Sequence, residues 1–209
     1  MITRRLVTPS VIGLAIGLSG LLLLKGAMIY TGELAEAFTR EPQDYLDGKW
    51  YVGSMSNLGG IVWFGCAAIL AFASTLTSEN RVLLFWAAIL TFAMGFDDIF
   101  MLHDDIYPRL GIGDKEIAFI YALAAGATVI LGIRKLPHGS SLALMGAIGF
   151  WGLSVVLDRY FNEGDQFAED GAKFVGICFW LCGWATAAWA CVRGDNAATG
   201  LSGYGDRPV

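Results

Sequence analysis

Residues 82–102 read Val-Leu-Leu-Phe-Trp-Ala-Ala-Ile-Leu-Thr-Phe-Ala-Met-Gly-Phe-Asp-Asp-Ile-Phe-Met-Leu, and His103, Asp104 and Asp105 follow directly. At 1.5 Å per residue, such a run is long enough to cross ~30 Å of hydrocarbon as a helix. It decides the fold because lipid offers no water to backbone polar groups, and a helix satisfies them within its own segment. It also carries acids where acids are expensive. Counting from Val82, Asp97 lies about 22 Å along the axis, and a charge at mid-bilayer costs at least ~2.5 kcal/mol. Ionisable residues at such depth face a partner, a cavity or a metal.

Outward from this stretch, the 209-residue chain is 56% hydrophobic and 16% charged. Soluble domains run near 25% charged, so the class is an all-α integral membrane bundle. Six stretches are long enough to span: Leu6–Tyr30, Tyr51–Ser74, Val82–Leu102, Glu116–Ile133, Ser141–Leu157 and Gly171–Val192. The fourth and fifth are short. Residues 1–193 read as one transmembrane domain and 194–209 as a short, Gly-containing, disordered cytoplasmic tail. The glycines fall mostly inside apolar runs, where they let helices approach closely, and Gly13 and Gly17 form such a packing face.

Arg4 and Arg5 before the first span and the short Arg134-Lys135 loop favour N-in, C-in, although the Lys and Arg count is nearly even between the two sides. That orientation places the multi-pass chain in a bacterial inner membrane, with Asp97–Asp105 facing the periplasm. Tyr30, Trp50, Tyr51, Tyr107, Tyr160 and Phe161 fall at outer span ends, as an aromatic belt would. A signal-peptide reading of the N-terminus, with a small-residue site near Leu34–Ala37, is weaker because the apolar stretch is too long.

Cys66, Cys178, Cys182 and Cys191 all lie within expected spans. Cys178 and Cys182 share a helical face but are poorly placed for a disulfide, and all four read as small apolar packing residues. The sequence holds no P-loop, dinucleotide fingerprint, His-x-x-x-His pair or nucleophile elbow. A haem held by two histidines is unlikely chemistry here, since His138 follows Pro137 in the loop on the far side from His103.

The remaining chemistry gathers at one level. If the third span continued as a regular helix, Asp97 would share a face with Asp104, and Asp98 with Asp105. His103 would then point about 140° away from Asp98. Unwinding near His103 would bring it round, and Pro108, Gly111 and Gly113 end the helix soon after. The fifth span ends in Asp158-Arg159-Tyr160, and the sixth opens with Glu169, Asp170 and, one turn in, Lys173. Antiparallel neighbours put these residues level with Asp97–Asp105. So many carboxylates require raised pKa values, cations or a metal. Asp97, Asp98, His103, Asp104, Glu169 and Asp170 are candidate ligands for a divalent ion such as Zn, Mn, Fe or Ca, with Lys173, Arg109 and Arg159 as counter-ions. The plainer reading solvates Asp105, Glu163 and Asp165 in loops and pairs Asp97 or Asp98 with Lys173.

The string Phe96-Asp97-Asp98-Ile99-Phe100-Met101-Leu102-His103-Asp104, with Glu169-Asp170, Lys173-Phe174, Gly176 and Trp180 downstream, resembles a group of uncharacterised bacterial membrane proteins. That group carries an Asp-Asp-x-Phe-x-Leu-His-Glu pattern and a later Glu-Asp-x-x-Lys-Phe-x-Gly-x-x-x-Trp pattern. Asp104 here stands where the group has Glu, one methylene longer. The resemblance couples the two segments and implies no activity.

Three functions are open to such a chain. The first is a metal-binding membrane protein, enzymatic or redox, acting on a lipid or quinone headgroup from the periplasmic leaflet. The second is a proton or cation transporter using the Asp pair, although the inner half of every span lacks an acid and no inverted repeat is visible. The third is a scaffold packed against other membrane subunits or a second copy through its Gly-rich faces and Trp180, Trp184 and Trp189. The expected partner throughout is the lipid bilayer; nothing points to nucleic acid.

Overall fold

The computed structural model describes residues 22, 25, 26, 28–32, 54–78, 80–133, 135–160 and 166–198. The chain divides into two compact units, Met1–Val52 and Gly53–Val209. Most of the first expected span, and the alternative signal-peptide site, lie outside the described residues. In that unit the described residues between 22 and 31 are helical, and the helix closes on Gly32, whose φ of 75° is the left-handed conformation that glycine adopts freely. The Gly32 N–H donates to the Met28 carbonyl at 2.9 Å.

The second unit is built from helices, with no strand among the described residues. They are α1 (Ser54–Leu76), α2 (Arg81–Phe100), α3 (Asp114–Ile133), α4 (His138–Tyr160) and α5 (Gln166–Ala198). All five are long and apolar enough to cross a membrane. Hydropathy located each of them, but it under-read the last two. α4 begins at His138, expected in a loop, and is 23 residues long rather than short. α5 runs 33 residues, through Ala198 and into the expected tail. Hydropathy stops where polar residues begin, whereas a helix already nucleated extends through them at little cost.

α5 is the central helix: α4 packs along one side of it and α1 along another, α2 pairs with α1, and α3 leans more lightly on α4 and α2. The core follows from spacing. Trp63, Cys66, Leu70 and Ala73 recur at three- and four-residue steps on α1, as do Ile177, Trp180, Trp184, Ala187, Ala188 and Cys191 on α5, and all are buried. The four cysteines are free thiols. Trp180 and Trp184 are core anchors, while Trp189 faces outward beneath Arg193, 5.2 Å from its ring. Buried indoles need an acceptor; the Trp180 N–H finds the Thr91 hydroxyl on α2 at 2.9 Å. The outer faces carry Ile61, Phe72, Phe85, Phe119 and Leu142, exposed as lipid-facing side chains are.

Without a hydrophobic drive between helices in lipid, close packing of small residues holds such bundles together. A Cβ on Gly95 would lie 2.5 Å from the Trp63 Cβ, so α1 and α2 can approach only because that position is glycine. On the other side of the bundle, a Cβ on Gly183 would lie 2.8 Å from Leu144 Cγ and 3.1 Å from the Ser140 carbonyl. α3 is the loosest span, with 22% of its apolar window buried against 44% for α1 and α5. Replacing Gly183 with Val should therefore destabilise the bundle by about 1–3 kcal/mol, read as a lower thermal unfolding midpoint in detergent. Gly126→Ala on α3, where an added Cβ meets nothing within 4 Å, should leave that midpoint unchanged or raise it.

Candidate functional site

α2 does not continue as a regular helix into the acidic segment. It ends at Phe100, and Met101 takes the left-handed conformation at φ 50°, with its N–H donating to the Asp97 carbonyl. Leu102–Ile106 then form a π-helical turn. For a non-glycine residue this conformation costs roughly 1–2 kcal/mol, and both strained backbone and π-turns concentrate at functional sites. The consequence here is geometric. On an uninterrupted helix His103 would sit about 240° round from Asp97. With the break, His103 Nδ1 lies 3.2 Å from Asp97 Oδ2, a close contact made without the alignment of a hydrogen bond. The regular helix that the expected faces of Asp97 with Asp104 and Asp98 with Asp105 assumed stops between them; the side chains of Asp104 and Asp105 lie outside the described residues.

The two adjacent carboxylates have opposite surroundings. Asp98 is fully partnered. Lys173 Nζ on α5 donates to its Oδ1 at 2.5 Å, and the Trp63 indole N–H on α1 donates to its Oδ2 at 3.3 Å. Three helices are thereby tied together through one side chain. Asp97 is more deeply buried, with its side chain 7% exposed. Its Oδ1 is shut off from solvent with no hydrogen-bond partner.

Asp97 lines a cavity of about 370 Å³ among the five helices. Asp97, Asp98, His103 and Lys173 form its polar end, and Met94, Ile117, Ala125, Ile148 and Trp151 line its apolar body. Tyr121 and Ser154 also line it. Its margin includes Ala118, Ala122, Gly152 and Val155, all exposed, so it opens sideways between α3 and α4. A smaller space of about 90 Å³ lies on the other side of the ion pair, lined by Ser56, Gly59, Asp170 and Phe174 together with Asp98 and Lys173.

Of the residues singled out from sequence, Asp97, Asp98, His103 and Lys173 thus meet in one site. Asp170 borders only the smaller space. Glu169 is partly buried in the first turn of α5, and Arg109 is exposed in the short helical turn Tyr107–Arg109. Asp104 is in the π-turn, but its side chain and that of Arg159 lie outside the described residues. Among the described residues, no three His, Cys, Asp or Glu side chains lie close enough to hold a metal ion. The oxygens of Asp98 are engaged by Lys173 and Trp63. Sequence reasoning missed Trp63, Tyr121, Trp151 and Ser154. The available signal was an indole at mid-span, since a tryptophan N–H in lipid requires an acceptor.

A family model described as a domain of unknown function, DUF8692, matches residues 11–189, and the chain belongs to that family. The comparisons with curated proteins and with solved structures gave no match.

Because Lys173 is 42% and Asp98 15% exposed, the pair falls between the surface and buried limits. Lys173→Met should lower stability by on the order of 1–3 kcal/mol, chiefly by leaving Asp98 uncompensated. Adding Asp98→Asn in the same chain should restore much of the loss. Thermal unfolding of both single variants and the double variant measures the coupling; strictly additive losses would contradict it.

Proposed function

We propose, for this member of a family whose description assigns no chemistry, a multi-pass membrane protein that binds a small membrane-soluble molecule by a hydrogen-bond-donating head. The head meets Asp97 beside His103, and the apolar part occupies the cavity body. The proposed setting is a bacterial inner membrane, N-in and C-in, with the site toward the periplasm. That topology needs the expected span Leu6–Tyr30 as a sixth helix.

One observation carries this reading: Asp97, buried and with one carboxylate oxygen unpartnered, lines an apolar-walled cavity. Leaving a buried acceptor unmet costs about 1–3 kcal/mol, so a ligand donor that reaches the carboxylate offsets that cost. The shape agrees, because small-molecule sites are mostly apolar clefts with a few convergent polar groups. At about 370 Å³ the cavity is at the small end of the ~300–1,000 Å³ typical of such sites, which favours a compact amphiphile over a two-tailed lipid. The lateral opening between α3 and α4 gives such a molecule a route from the bilayer.

The metal-binding reading has less support. Asp97 and His103 offer two donors, but Asp98 is committed elsewhere. The scaffold reading has no observation specific to it.

The test compares 4-phenyl-1-butanol with butylbenzene, which has the same body and no head, by tryptophan fluorescence of the protein in nanodiscs with empty discs subtracted. The alcohol should bind about ten-fold more tightly. Asp97→Ala should remove that advantage while leaving butylbenzene binding unchanged. Equal binding of the two compounds by the wild type would defeat the proposal.

A further inference from the structure

Resting on that reading of the cavity, we infer that its ligand is a lipophilic organic cation, whose positive head docks on Asp97.

The first argument is charge. The polar end of the cavity holds two carboxylates, Asp97 and Asp98, against one permanent cation, Lys173. Lys173 is committed to Asp98 at 2.5 Å, which leaves Asp97 facing His103 at 3.2 Å and the Tyr121 phenol, neither of them a permanent cation. Imidazole balances a carboxylate only while it carries a second ring proton. In its neutral form it leaves a carboxylate whose side chain is 7% exposed without a counter-ion. An ammonium head supplies that charge and a donor for the Asp97 carboxylate together; a hydroxyl supplies only the donor. In a site of low dielectric that difference is large, because hydrogen bonds between ionised groups are roughly twice as strong as neutral ones.

The second argument is the wall. The indoles of Trp63 and Trp151, tilted against each other with centroids 5.6 Å apart, line the cavity together with the Tyr121 ring. Aromatic faces attract a desolvated cation and give a neutral head no comparable gain.

The third argument is a precedent inside the fold. The neighbouring carboxylate, on the same helix and at the same cavity, already takes an alkylammonium, the side chain of Lys173, and holds it beside the Trp63 indole that shares Asp98. Asp97, one residue earlier, presents the same kind of carboxylate to the same cavity. Lys173 does not repel the newcomer strongly, because its charge is met by Asp98.

The experiment uses three probes with one phenylbutyl body: 4-phenylbutylamine, 4-phenyl-1-butanol and 4-phenylbutyrate. Each is titrated into the full-length protein in nanodiscs at neutral pH, with empty discs subtracted. The wild type should bind the amine at least ten-fold more tightly than the alcohol, and the alcohol more tightly than the carboxylate. Asp97→Asn, which keeps the shape and removes the charge, should bring the amine-to-alcohol ratio close to one. If that variant fails to fold, the ordering of the three probes on the wild type alone decides the matter. An alcohol that binds as tightly as the amine would overturn the cation assignment and leave the donor-head reading standing. If neither amine nor alcohol binds, both fall. A ratio that survives Asp97→Asn and disappears in Asp98→Asn would also overturn the docking of the cation on Asp97.

Discussion

The bond from Lys173 to Asp98 governs the packing around the site. It joins α2 to α5 through residues 75 apart in sequence, with the carboxylate largely buried. A carboxylate at that depth is tolerable only with a partner. Supplying that partner from the central helix obliges α2 to sit beside α5 at this level. Trp63 completes the arrangement by bonding the second oxygen, so α1 is drawn to the same point. Glycine at Gly95 then permits the close approach that the bond requires, since any Cβ there would collide with Trp63. Electrostatics and packing thus specify one geometry for α1, α2 and α5.

With Asp98 satisfied, the break at Met101 acquires a meaning. A straight α2 would aim His103 away from Asp97, and the imidazole would meet lipid or another helix. The left-handed residue and the π-turn after it return the chain on itself and seat the ring next to Asp97. Local backbone strain at a non-glycine residue is retained where the surroundings over-determine it. Here the surroundings include the Asp97 carbonyl, which accepts the Met101 N–H. One aspartate is therefore engaged at both its backbone and its side chain by the segment that follows it.

How much of this was legible in the sequence differs by element. The spans around α1, α2 and α3 were readable because apolar length is a property of composition, and lipid selects for it directly. The conjunction of Asp98 with Lys173 was readable as one of two pairings, because antiparallel topology sets depth but not rotation about the helix axis. The break at Met101 was only half readable. Unwinding near His103 was expected from the need to turn the ring, but neither Gly nor Pro marks the position, and methionine is not a left-handed residue by preference. Of the six expected metal ligands, Asp104 has its side chain outside the described residues, and no three of the described His, Cys, Asp or Glu residues cluster; sequence gives proximity in depth and is silent on which acid an internal cation will claim. The cavity was not legible at all, since it is bounded by α3 and α4 residues whose identities, chiefly Ala, Ile, Gly and Val, are those of any span.

The contrast between two adjacent aspartates is the final step. Asp97 and Asp98 have the same side chain, occupy the same turn and border the same cavity, yet one has both oxygens bonded and the other has one exposed to nothing. If stability alone had shaped this site, a residue such as Asn, Thr or Ala at position 97 would have removed an unmet acceptor, because replacing an unsatisfied polar group with one of similar size is neutral or favourable. The fold instead breaks α2 so that an imidazole lies beside that same carboxylate, in a residue that lines a cavity. On the proposed reading, such a group is one whose partner arrives from outside the chain. The asymmetry then separates the two roles: Asp97 is the residue offered to a ligand, and Asp98, bonded to Lys173 and Trp63, ties three helices together.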